Sequence, residues 1–359
     1  MFVNTKNYML LYTPILNIIN KNNMKKFYFF IVISLFSVTV FAQQDAQFTQ
    51  NMFTNMAINP GYAGISKQIC LNTLYRQQWT GFTDTYIDKT SGETKTHKGA
   101  PQTILLTVDA PIRALHGGIG LNVYSDKLGF ENNIGVKLAY SFHLNIAIGT
   151  LGIGLQAGFL NKTIDFSKFN PLDADDPILT NNTGKQNLFL TDMAFGVFYN
   201  IPGKAYVGLS SNQLIQSKMK KLDSSDSRLK RHYYLTGGYH WTLPNNPDWE
   251  LSPYVLIKTD FASAQYDITA MCKWRNMIWA GVSYRVQDAV GIIIGAYPLN
   301  QPSMSPALQN LRIGYSYDIT TSALGKDKRS SGTHEIMLGY CFKIEVKKNV
   351  TKYINTRFL

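Results

Sequence analysis

The alternation of side chains between residues 133 and 144 constrains the fold more than any other feature of the sequence. Every second residue is apolar: Ile134, Val136, Leu138, Tyr140, Phe142 and Leu144. The residues between them are polar or small: Asn133, Gly135, Lys137, Ala139, Ser141 and His143. Because successive side chains of a β-strand point to opposite faces, this stretch predicts a strand with one apolar and one polar face. In a soluble sandwich the apolar face would meet a second sheet, whereas in a membrane barrel it would meet lipid.

The same alternation recurs along the chain and defines about 14 strand-like segments. Clear further examples are residues 311–319 and 336–344. We predict strands near residues 67–80, 100–110, 117–125, 132–145, 150–162, 187–200, 204–211, 232–243, 249–259, 264–275, 277–287, 288–298, 309–320 and 333–346. Helix-period segments of useful length do not separate them, which excludes a βαβ architecture.

The connections between these segments favour the membrane barrel. Long polar connections alternate along the chain with short ones. The long ones are 81–99, 162–186, 212–231 and 320–332, and the short ones are 111–116, 145–149, 201–203 and 275–276. Three connections depart from the rule: 298–308 is long, and those near Asp126 and at 287–288 are short. Long loops at one end and tight turns at the other are typical of outer-membrane barrels.

The sequence therefore predicts an all-β transmembrane outer-membrane barrel of about 14 antiparallel strands. An even strand number would place both termini on the short-turn, periplasmic side. The composition agrees, because only 16% of the residues are charged, while 21 are Tyr and 27 are Gly. Aromatic residues at strand ends suit the two interfacial girdles of such a barrel. They are Trp79, Tyr124, Tyr199, Tyr206, Tyr239, Trp241, Trp249 and Trp274.

Residues 1–42 read as an N-terminal extension followed by a signal peptide. Met24, Lys25 and Lys26 form a short basic region, the apolar core follows from 27 to 40, and cleavage is expected after Ala42. We interpret Met24 as the start of translation. The alternative is a membrane anchor, for which the apolar run is short.

Residues 43–64 are predicted to form a short plug or helix, because Phe48, Met52 and Met56 recur at helical spacing before Asn59 and Pro60 turn the chain. A flexible leader is the alternative. The barrel is expected over residues 65–346, and residues 347–359 are expected to form a periplasmic tail whose basic residues a periplasmic partner could reach.

Charge and cysteine usage exclude some classes of function. The formal net charge of +12 falls to about +8 after removal of residues 1–42, which carry four lysines and no acid. This excess is dispersed and carries no nucleic-acid motif, which favours a solvated or headgroup-facing surface. Cys70, Cys272 and Cys341 are odd in number and widely spaced, so we expect neither a disulfide nor a metal site.

A set of motifs in fixed order resembles the PorP/SprF family of type IX secretion and gliding-motility membrane proteins. The resemblance covers essentially the whole mature chain. Its motifs are AQFTQNMF at 46–53, INPGYAG at 58–64, YRQQWTGF at 75–82, GLNVYSDKLG at 120–129, HYYLTGGY at 232–239, AGVSYR at 280–285, LRIGYSYD at 311–318 and GTHEIML at 332–338. The turn at 301–306 and the tail from 346 are longer than in the family pattern.

The resemblance implies an outer-membrane protein of the Bacteroidota that partners the secretion and surface anchoring of an exported adhesin through a type B C-terminal sorting domain. It also implies contact with the type IX translocon, gliding lipoproteins and the bilayer with its lipopolysaccharide, without nucleic acid. The alternatives are a component that tethers the periplasmic lipoprotein ring, or a pore for hydrophobic solutes. Motif positions expected to be structural are Asn59, Pro60, Tyr62, Gly64, Arg76, Gln78, Trp79, Gly81, Phe82, His334 and Glu335.

Partner contacts are predicted in the long loops. The candidate aromatic anchors are Phe82, Tyr86, Phe166 and Phe169. The candidate basic contacts are Lys220, Lys221, Arg228 and Arg231. For the aromatic residues, an interfacial girdle or a loop core is an equally good interpretation, and the basic run also suits a solvated loop.

Neither catalysis nor a cofactor is expected. The six histidines include no HExxH motif, and Ser141 and His143, two apart on a polar strand face, are a weak candidate for a lipid-modifying enzyme. Asp173, Asp175 and Asp176 are a weak candidate for a calcium site, but they lack the other ligands of an EF-hand, which favours a solvated acidic loop.

Overall fold

The structure, a computed structural model, describes residues 45–87, 93–97, 99–169, 184–219, 228–300, 308–322 and 330–343. The predicted signal peptide and the predicted C-terminal tail lie outside these residues. Strands dominate the described part of the chain. They are β1 Gln68–Gln77, β2 Asp84–Ile87, β3 Thr94–His97, β4 Gln102–Ile112, β5 Gly117–Leu128, β6 Glu131–Ile146, β7 Gly149–Asp165, β8 Lys185–Ile201, β9 Ala205–Asn212, β10 His232–Tyr239, β11 Trp241–Leu243, β12 Asn246–Thr259, β13 Ala264–Trp274, β14 Ile278–Arg285, β15 Ala289–Ala296, β16 Arg312–Thr320 and β17 Thr333–Lys343.

The strands close into an antiparallel barrel. Strands β4 to β10 pair in chain order, as do β12 to β17, and β10 pairs with β12. β1 completes the circle by pairing with β4 on one side and β17 on the other. β11 extends the line of β10 beyond His240, while β2 and β3 form a separate hairpin within the first long loop. The wall of the barrel therefore has 14 strands, as predicted. Among the described strands, the prediction missed only the small hairpin of β2 and β3.

In this barrel the outward-facing apolar side chains are exposed, and the inward-facing polar side chains are buried. On β6 the apolar residues face outward, with Ile134 42% and Leu138 65% exposed, whereas Lys137 and Ser141 on the other face are 5% and 0% exposed. A soluble sandwich would bury the apolar face. The alternation that predicted a lipid-facing strand is thus seen directly, with the polar face turned into the barrel.

The apolar band has the height of a membrane. The ten-residue step from Ile134 to Leu144 spans about 33 Å along the strand, or about 25 Å across a bilayer at a tilt of 40°. Beyond the band, towards the long loops, the outward positions become polar at Asn132, Asn161 and Asn187. β6, β7 and β8 therefore rise above the lipid at the end of the barrel that bears the long connections, called here the long-loop end; the opposite end is the short-turn end.

The barrel's core is supplied by its own N-terminal residues. The segment 45–65, called here the inner segment, contains 3₁₀ turns at Asn51–Phe53 and Pro60–Tyr62 and one short helix, α1, at Asn55–Ile58. Further 3₁₀ turns lie at Arg113–Leu115, Phe166–Lys168 and Leu308–Asn310. In the described part of the chain, none of these helices has the length and apolar character of a membrane span.

Apolar side chains of the inner segment pack on small clusters of inward-facing wall residues. Met52 packs in a cluster with Met271, Trp279 and Met337. Phe48, Met56 and Ile58 each join another such cluster with residues of the wall. The fold therefore includes the short N-terminal helix or plug that the sequence predicted.

A disulfide joins Cys70 to Cys341, which corrects the expectation that the cysteines would be unpaired. The two residues are direct register partners on β1 and β17, with Cα atoms 4.1 Å apart. The pairing could not be predicted from the sequence separation of 271 residues, because only closure of the barrel brings its first and last strands together. Cys272 remains a free thiol.

Candidate functional site

The inner segment is bonded to the wall around most of the barrel's circumference. The Ser141 hydroxyl on β6 donates to the Gly61 carbonyl at 2.9 Å, and the Ser210 hydroxyl on β9 donates to the Ile58 carbonyl at 2.9 Å. The Gly64 amide donates to Asp109 on β4 at 3.1 Å. Backbone groups that a loop would otherwise leave unpaired inside a barrel are thus met by inward-facing polar side chains.

A buried ionic network holds the start of the inner segment. Arg76 on β1 binds Asp318 on β16 at 2.8 Å and Glu335 on β17 at 2.9 Å, and all three side chains are at most 2% exposed. The Glu335 carboxylate accepts the backbone amides of Thr49 and Gln50 at 2.9 and 2.8 Å. Since buried charges are tolerated only when paired and hydrogen-bonded, the network is complete only with the inner segment in place.

The network continues towards β13. Arg285 on β14 binds Asp267 on β13 and Asp288 beyond β14, each at 3.2 Å, and lies 3.6 Å from Asp318. Arg285 and Asp318 end two of the motifs found in the sequence, AGVSYR and LRIGYSYD, but no role was predicted for either. The signal that could have identified them is a charged residue on the lumenal face of a membrane strand, where a partner is required.

The motif residues Asn59 and Pro60 set the path of the segment through the lumen. The Asn59 amide nitrogen donates to the carbonyls of Val197 and Leu209 at 3.0 and 3.1 Å, and its oxygen accepts the Gly61 amide at 2.8 Å. Pro60 opens a 3₁₀ turn, where the missing N–H costs nothing. Tyr62 packs edge-on against Phe198, with ring centroids 5.2 Å apart.

Gly64 occupies a position that only glycine fits. Its φ is +71°, and a Cβ there would lie 2.7 Å from the Gly118 Cα. The close approach brings its amide to Asp109 at the short-turn end of the barrel. The expectation that Gly64 and the neighbouring motif positions have structural roles agrees with these contacts.

The YRQQWTGF motif extends the pairing of β1 with both of its neighbours, β4 and β17, beyond the strands. The Gln78 amide donates to the Pro101 carbonyl at 2.9 Å, and the Trp79 amide donates to the Thr333 hydroxyl at 3.1 Å. Thr80 and Gly332 continue the pairing at 2.7 Å, and Gly81 has a φ of +86°. His334, by contrast, faces outward and binds the Tyr315 hydroxyl at 2.7 Å.

Ser141 and His143 are both committed to the inner segment. The Ser141 hydroxyl donates to the Gly61 carbonyl, while His143 Nε2 lies 2.9 Å from the Ala63 carbonyl oxygen. Both side chains belong to the inward face of β6. The arrangement places them away from lipid and provides no contact between a nucleophile and a base among the described hydrogen bonds of these two residues.

The predicted partner residues comprise aromatic residues that pack in pairs, arginines that contact the chain near residues 214–218, and residues outside the described part of the chain. Phe82 packs on Trp79 at 6.3 Å, and Phe166 packs on Phe169, which is 41% exposed, at 5.6 Å. Arg231 donates to the Leu214 carbonyl at 2.8 Å, and Arg228 forms an isolated β-bridge with Lys218. Outside the residues or side chains that the structure describes lie Tyr86, Lys220, Lys221, Asp173, Asp175 and Asp176.

Two cavities lie beside the start of the inner segment, towards the long-loop end. Their volumes are about 730 and 780 Å³, each including the space at its mouth, and both are lined by Asp45, Ala46, Tyr124 and Gln213. Burial by itself would raise the pKa of the Asp45 carboxyl, but the charges of His232, Lys137 and Lys258 and the hydrogen bond from Tyr234 hold that pKa below its ordinary value. Asp45 therefore remains a charged acceptor.

These features define a class of protein: a membrane-spanning outer-membrane β-barrel whose lumen is occupied by its own N-terminal residues. The family described as type IX secretion system membrane protein PorP/SprF matches residues 40–340. The chain belongs to this family. No curated protein matches it in sequence.

Several solved barrels resemble the structure at low identity. The outer membrane protein Omp33 of Acinetobacter baumannii is 9% identical over 77% of this chain and 99% of its own, with a TM-score of 0.39. The toluene transporter TodX of P. putida is 8% identical over 80% and 93%, with a TM-score of 0.44. The toluene transporter TbuX of Ralstonia pickettii is 8% identical over 83% and 94%, with a TM-score of 0.42.

Proposed function

We propose that this barrel is the outer-membrane partner of an exported adhesin, which it helps to secrete and anchors at the cell surface by binding the adhesin's type B C-terminal sorting domain. Membership of a type IX secretion family supports a role in export. The observation that carries the proposal is the occupied lumen, in which the wall's charged and polar groups bind the protein's own chain. A rigid closed barrel suits an anchor better than a conduit.

The long-loop end supplies the docking surface in this proposal. Phe130 at the β5–β6 turn packs against Phe169 with ring centroids 5.0 Å apart, and Phe169 packs against Phe166. The outward polar positions Asn132 and Asn161 lie between this cluster and the apolar band. The cluster therefore stands above the lipid, which favours partner contact over an interfacial girdle.

The long loops would face the cell exterior, and the C-terminal tail would face the periplasm. In that orientation an exported domain meets a cluster of aromatic rings, with Phe169 exposed and its neighbours half-buried, of the kind that dominates binding energy at interfaces. Phe82, close to Trp79, belongs to the same end of the barrel. Arg228 and Arg231 would contribute charge at the rim, where electrostatics guides association more than it adds affinity.

A deletion strain tests the proposal. Loss of the chain should remove one exported adhesin from the cell surface, and gentle-detergent purification of the tagged barrel should recover that adhesin's C-terminal domain by mass spectrometry. The proposal fails if every surface protein stays in place in the deletion strain. Recovery of periplasmic lipoproteins without any adhesin would instead favour the tethering function.

A double variant and a matched control test whether the adhesin binds at the aromatic cluster. Phe166→Ala combined with Phe169→Ala should release the adhesin from the purified barrel, because the exposed Phe169 ring and the half-buried Phe166 ring beside it act as anchors. The matched control is Tyr239→Ala, an exposed aromatic residue (43%) near the short-turn end. Equal retention by both proteins, each folded by heat-modifiability on gels, would place the adhesin contact elsewhere.

A further inference from the structure

Strand β8 is only partly paired along one of its two edges. On one side, β7 pairs with β8 from Lys185 to Asn200. On the other side, β9 pairs only with residues 195–201 of β8. Among the residues that the structure describes, no strand pairs with residues 185–194 on this second side. The part of β8 that rises towards the long-loop end therefore has an edge without a neighbouring strand, called here the β8 edge.

The chain that follows β9 occupies the part of the β8 edge nearest to β9. The Leu214 amide donates to the Met193 carbonyl at 2.9 Å, and the Ser217 hydroxyl donates to the Thr191 carbonyl at 2.6 Å. The carbonyls of Thr191 and Met193 therefore point away from β7. Because the backbone groups of a strand point alternately to its two neighbours, every second residue of β8 presents its N–H and C=O groups on this edge.

Farther up, at Asn187 and Phe189, the β8 edge is open. Both residues lie an even number of positions from Thr191, so their N–H and C=O groups also point away from β7. Within the described part of the chain, neither backbone has a hydrogen-bond partner on that side. Both side chains are exposed, Phe189 by 68%. An open edge of this kind is a template for pairing with another chain.

The open part of the edge stands above the lipid. Asn187 lies in one row with Thr163 and Asn132, its successive register partners on β7 and β6. All three are outward-facing polar residues beyond the apolar band. Just above this row, the Phe166 amide donates to the Gly184 carbonyl at 2.9 Å. The β8 edge therefore adjoins the aromatic cluster at the long-loop end.

Positive charge borders the open edge. Lys185, at its top, is exposed, and so is Lys230. Lys230 lies nearby, because the amide of the residue before it donates to the Ser217 carbonyl at 3.1 Å. The acids of β7 and β8, Asp165 and Asp192, are buried. A partner with exposed negative charge is therefore favoured at this edge.

We propose that the β8 edge binds an extended, acidic segment of the exported partner by strand addition, in which the backbone of the segment pairs with Asn187 and Phe189. That the partner is an exported protein rests on the function proposed above. Alternate side chains of the added strand would lie beside Lys185 on the outer face and beside Met219, which packs with Leu188, on the inner face.

A second copy of the chain fits the edge poorly. Two barrels in one membrane are related by rotation about the membrane normal, so their β8 edges would run in the same direction and bring the two copies of Lys185 together. Lysine on an edge strand is one of the devices that prevent such self-pairing. An acidic segment converts the same charge into an attraction.

A single substitution removes the backbone donor at the edge. Asn187→Pro deletes the N–H that points away from β7 and leaves the ladder with β7 in place, as edge strands allow. The matched control, Asn187→Ala, also loses the side-chain hydrogen bond with Thr163 but keeps the N–H. Heat-modifiability on gels checks that both variants fold.

The first probe is a fluorescein-labelled peptide of about six residues, with glutamate and valine in alternation, titrated onto the purified barrel. Asn187→Pro should bind it at least about tenfold more weakly than Asn187→Ala, because proline removes a hydrogen bond and places its ring in the path of the added strand. A peptide with lysine in place of glutamate should bind the wild-type barrel more weakly, by a margin that shrinks at high salt. Equal binding by the two variants, equal binding of the two peptides, or no binding of the acidic peptide would overturn the proposal.

The second probe is the exported adhesin. On gentle-detergent purification, Asn187→Ala should retain it and Asn187→Pro should lose it. Retention by both variants would overturn the β8 edge as the binding site and leave the proposed function standing. If even the wild-type barrel retains no adhesin while the peptide results hold, the proposed function fails and the edge stands as a site for acidic strands. A dimer that only Asn187→Pro disrupts would assign the edge to a second copy and overturn the proposal.

Discussion

At the scale of single residues, the barrel depends on charges that are buried and paired. Glu335 is fully buried and binds one arginine and two backbone amides. An apolar side chain at this position could accept none of these three hydrogen bonds. The network therefore couples the wall to the inner segment, and any change at Glu335 affects both.

Replacing Glu335 by Ala should lower the free energy of unfolding by about 3–5 kcal/mol, because it removes one of the two carboxylates that pair with the buried Arg76 charge and leaves two backbone amides without their acceptor. Glu335→Gln keeps the shape and one acceptor, so it should cost less. Urea unfolding in detergent measures both, and hydrogen exchange at Thr49 and Gln50 should accelerate. His334→Ala, at an outward-facing position, is the control and should change stability by less than about 1 kcal/mol; an equal loss there would contradict the network's role.

Gly64→Ala should destabilise the protein more than Gly203→Ala. Both glycines have positive φ, +71° and +68°, but a Cβ at Gly64 would meet backbone atoms, while one at Gly203 meets nothing within 4 Å. Gly203→Ala should therefore cost only the backbone strain of about 1 kcal/mol, and Gly64→Ala should cost overpacking of about 1–3 kcal/mol in addition. Equal unfolding midpoints for the two variants would show that Gly64 is not wedged between the wall and the segment.

At the scale of elements, the first and last strands of the barrel wall, β1 and β17, pair along one seam. Ten register pairs, the disulfide and the continued pairing at Thr80 hold it together. The same two strands carry Arg76 and Glu335. Closure of the barrel and capture of the inner segment thus depend on one pair of strands.

Removing the disulfide with Cys70→Ser and Cys341→Ser should lower stability by about 2–5 kcal/mol, since it frees a long loop in the unfolded chain. Thermal unfolding monitored by heat-modifiability measures the loss. Cys272→Ser is the control and should leave the midpoint unchanged. A double variant as stable as the parent would mean that the ladder and the ionic network alone secure the seam.

The strands could be predicted from the sequence because a strand between lipid and lumen needs strict alternation of apolar and polar side chains, as in residues 133–144. The alternation of long and short connections predicted the barrel, and Asn59 and Pro60 of the INPGYAG motif predicted the turn in the inner segment. The disulfide and the partners of Arg76 were not readable, because both depend on register between strands more than 200 residues apart. The small hairpin β2–β3 was missed since it lies within a polar loop without apolar alternation.

At the scale of the whole molecule, the outer face is apolar over about 25 Å. The inside holds a buried ionic network and small apolar clusters around the inner segment. This distribution inverts that of a soluble protein. It gives the chain a membrane-spanning wall and leaves the long-loop end as the surface for partners.

A single outward charge tests that distribution. Leu138→Arg, in the middle of the band, should cost about 2–4 kcal/mol in a lipid bilayer, whereas Asn132→Arg, above the band, should cost about 0–1 kcal/mol. Reversible unfolding from liposomes measures the difference. If both changes were equally tolerated, residue 138 would not face lipid.

The barrel spans the membrane with its lumen occupied by its own chain. Single-channel recording of the purified protein in planar bilayers, with insertion verified by protease protection, tests whether the lumen is closed. We expect no conductance steps from the wild-type protein, because the inner segment is bonded to strands around the wall. Regular, long-lived open-channel steps from the folded wild-type protein would contradict it.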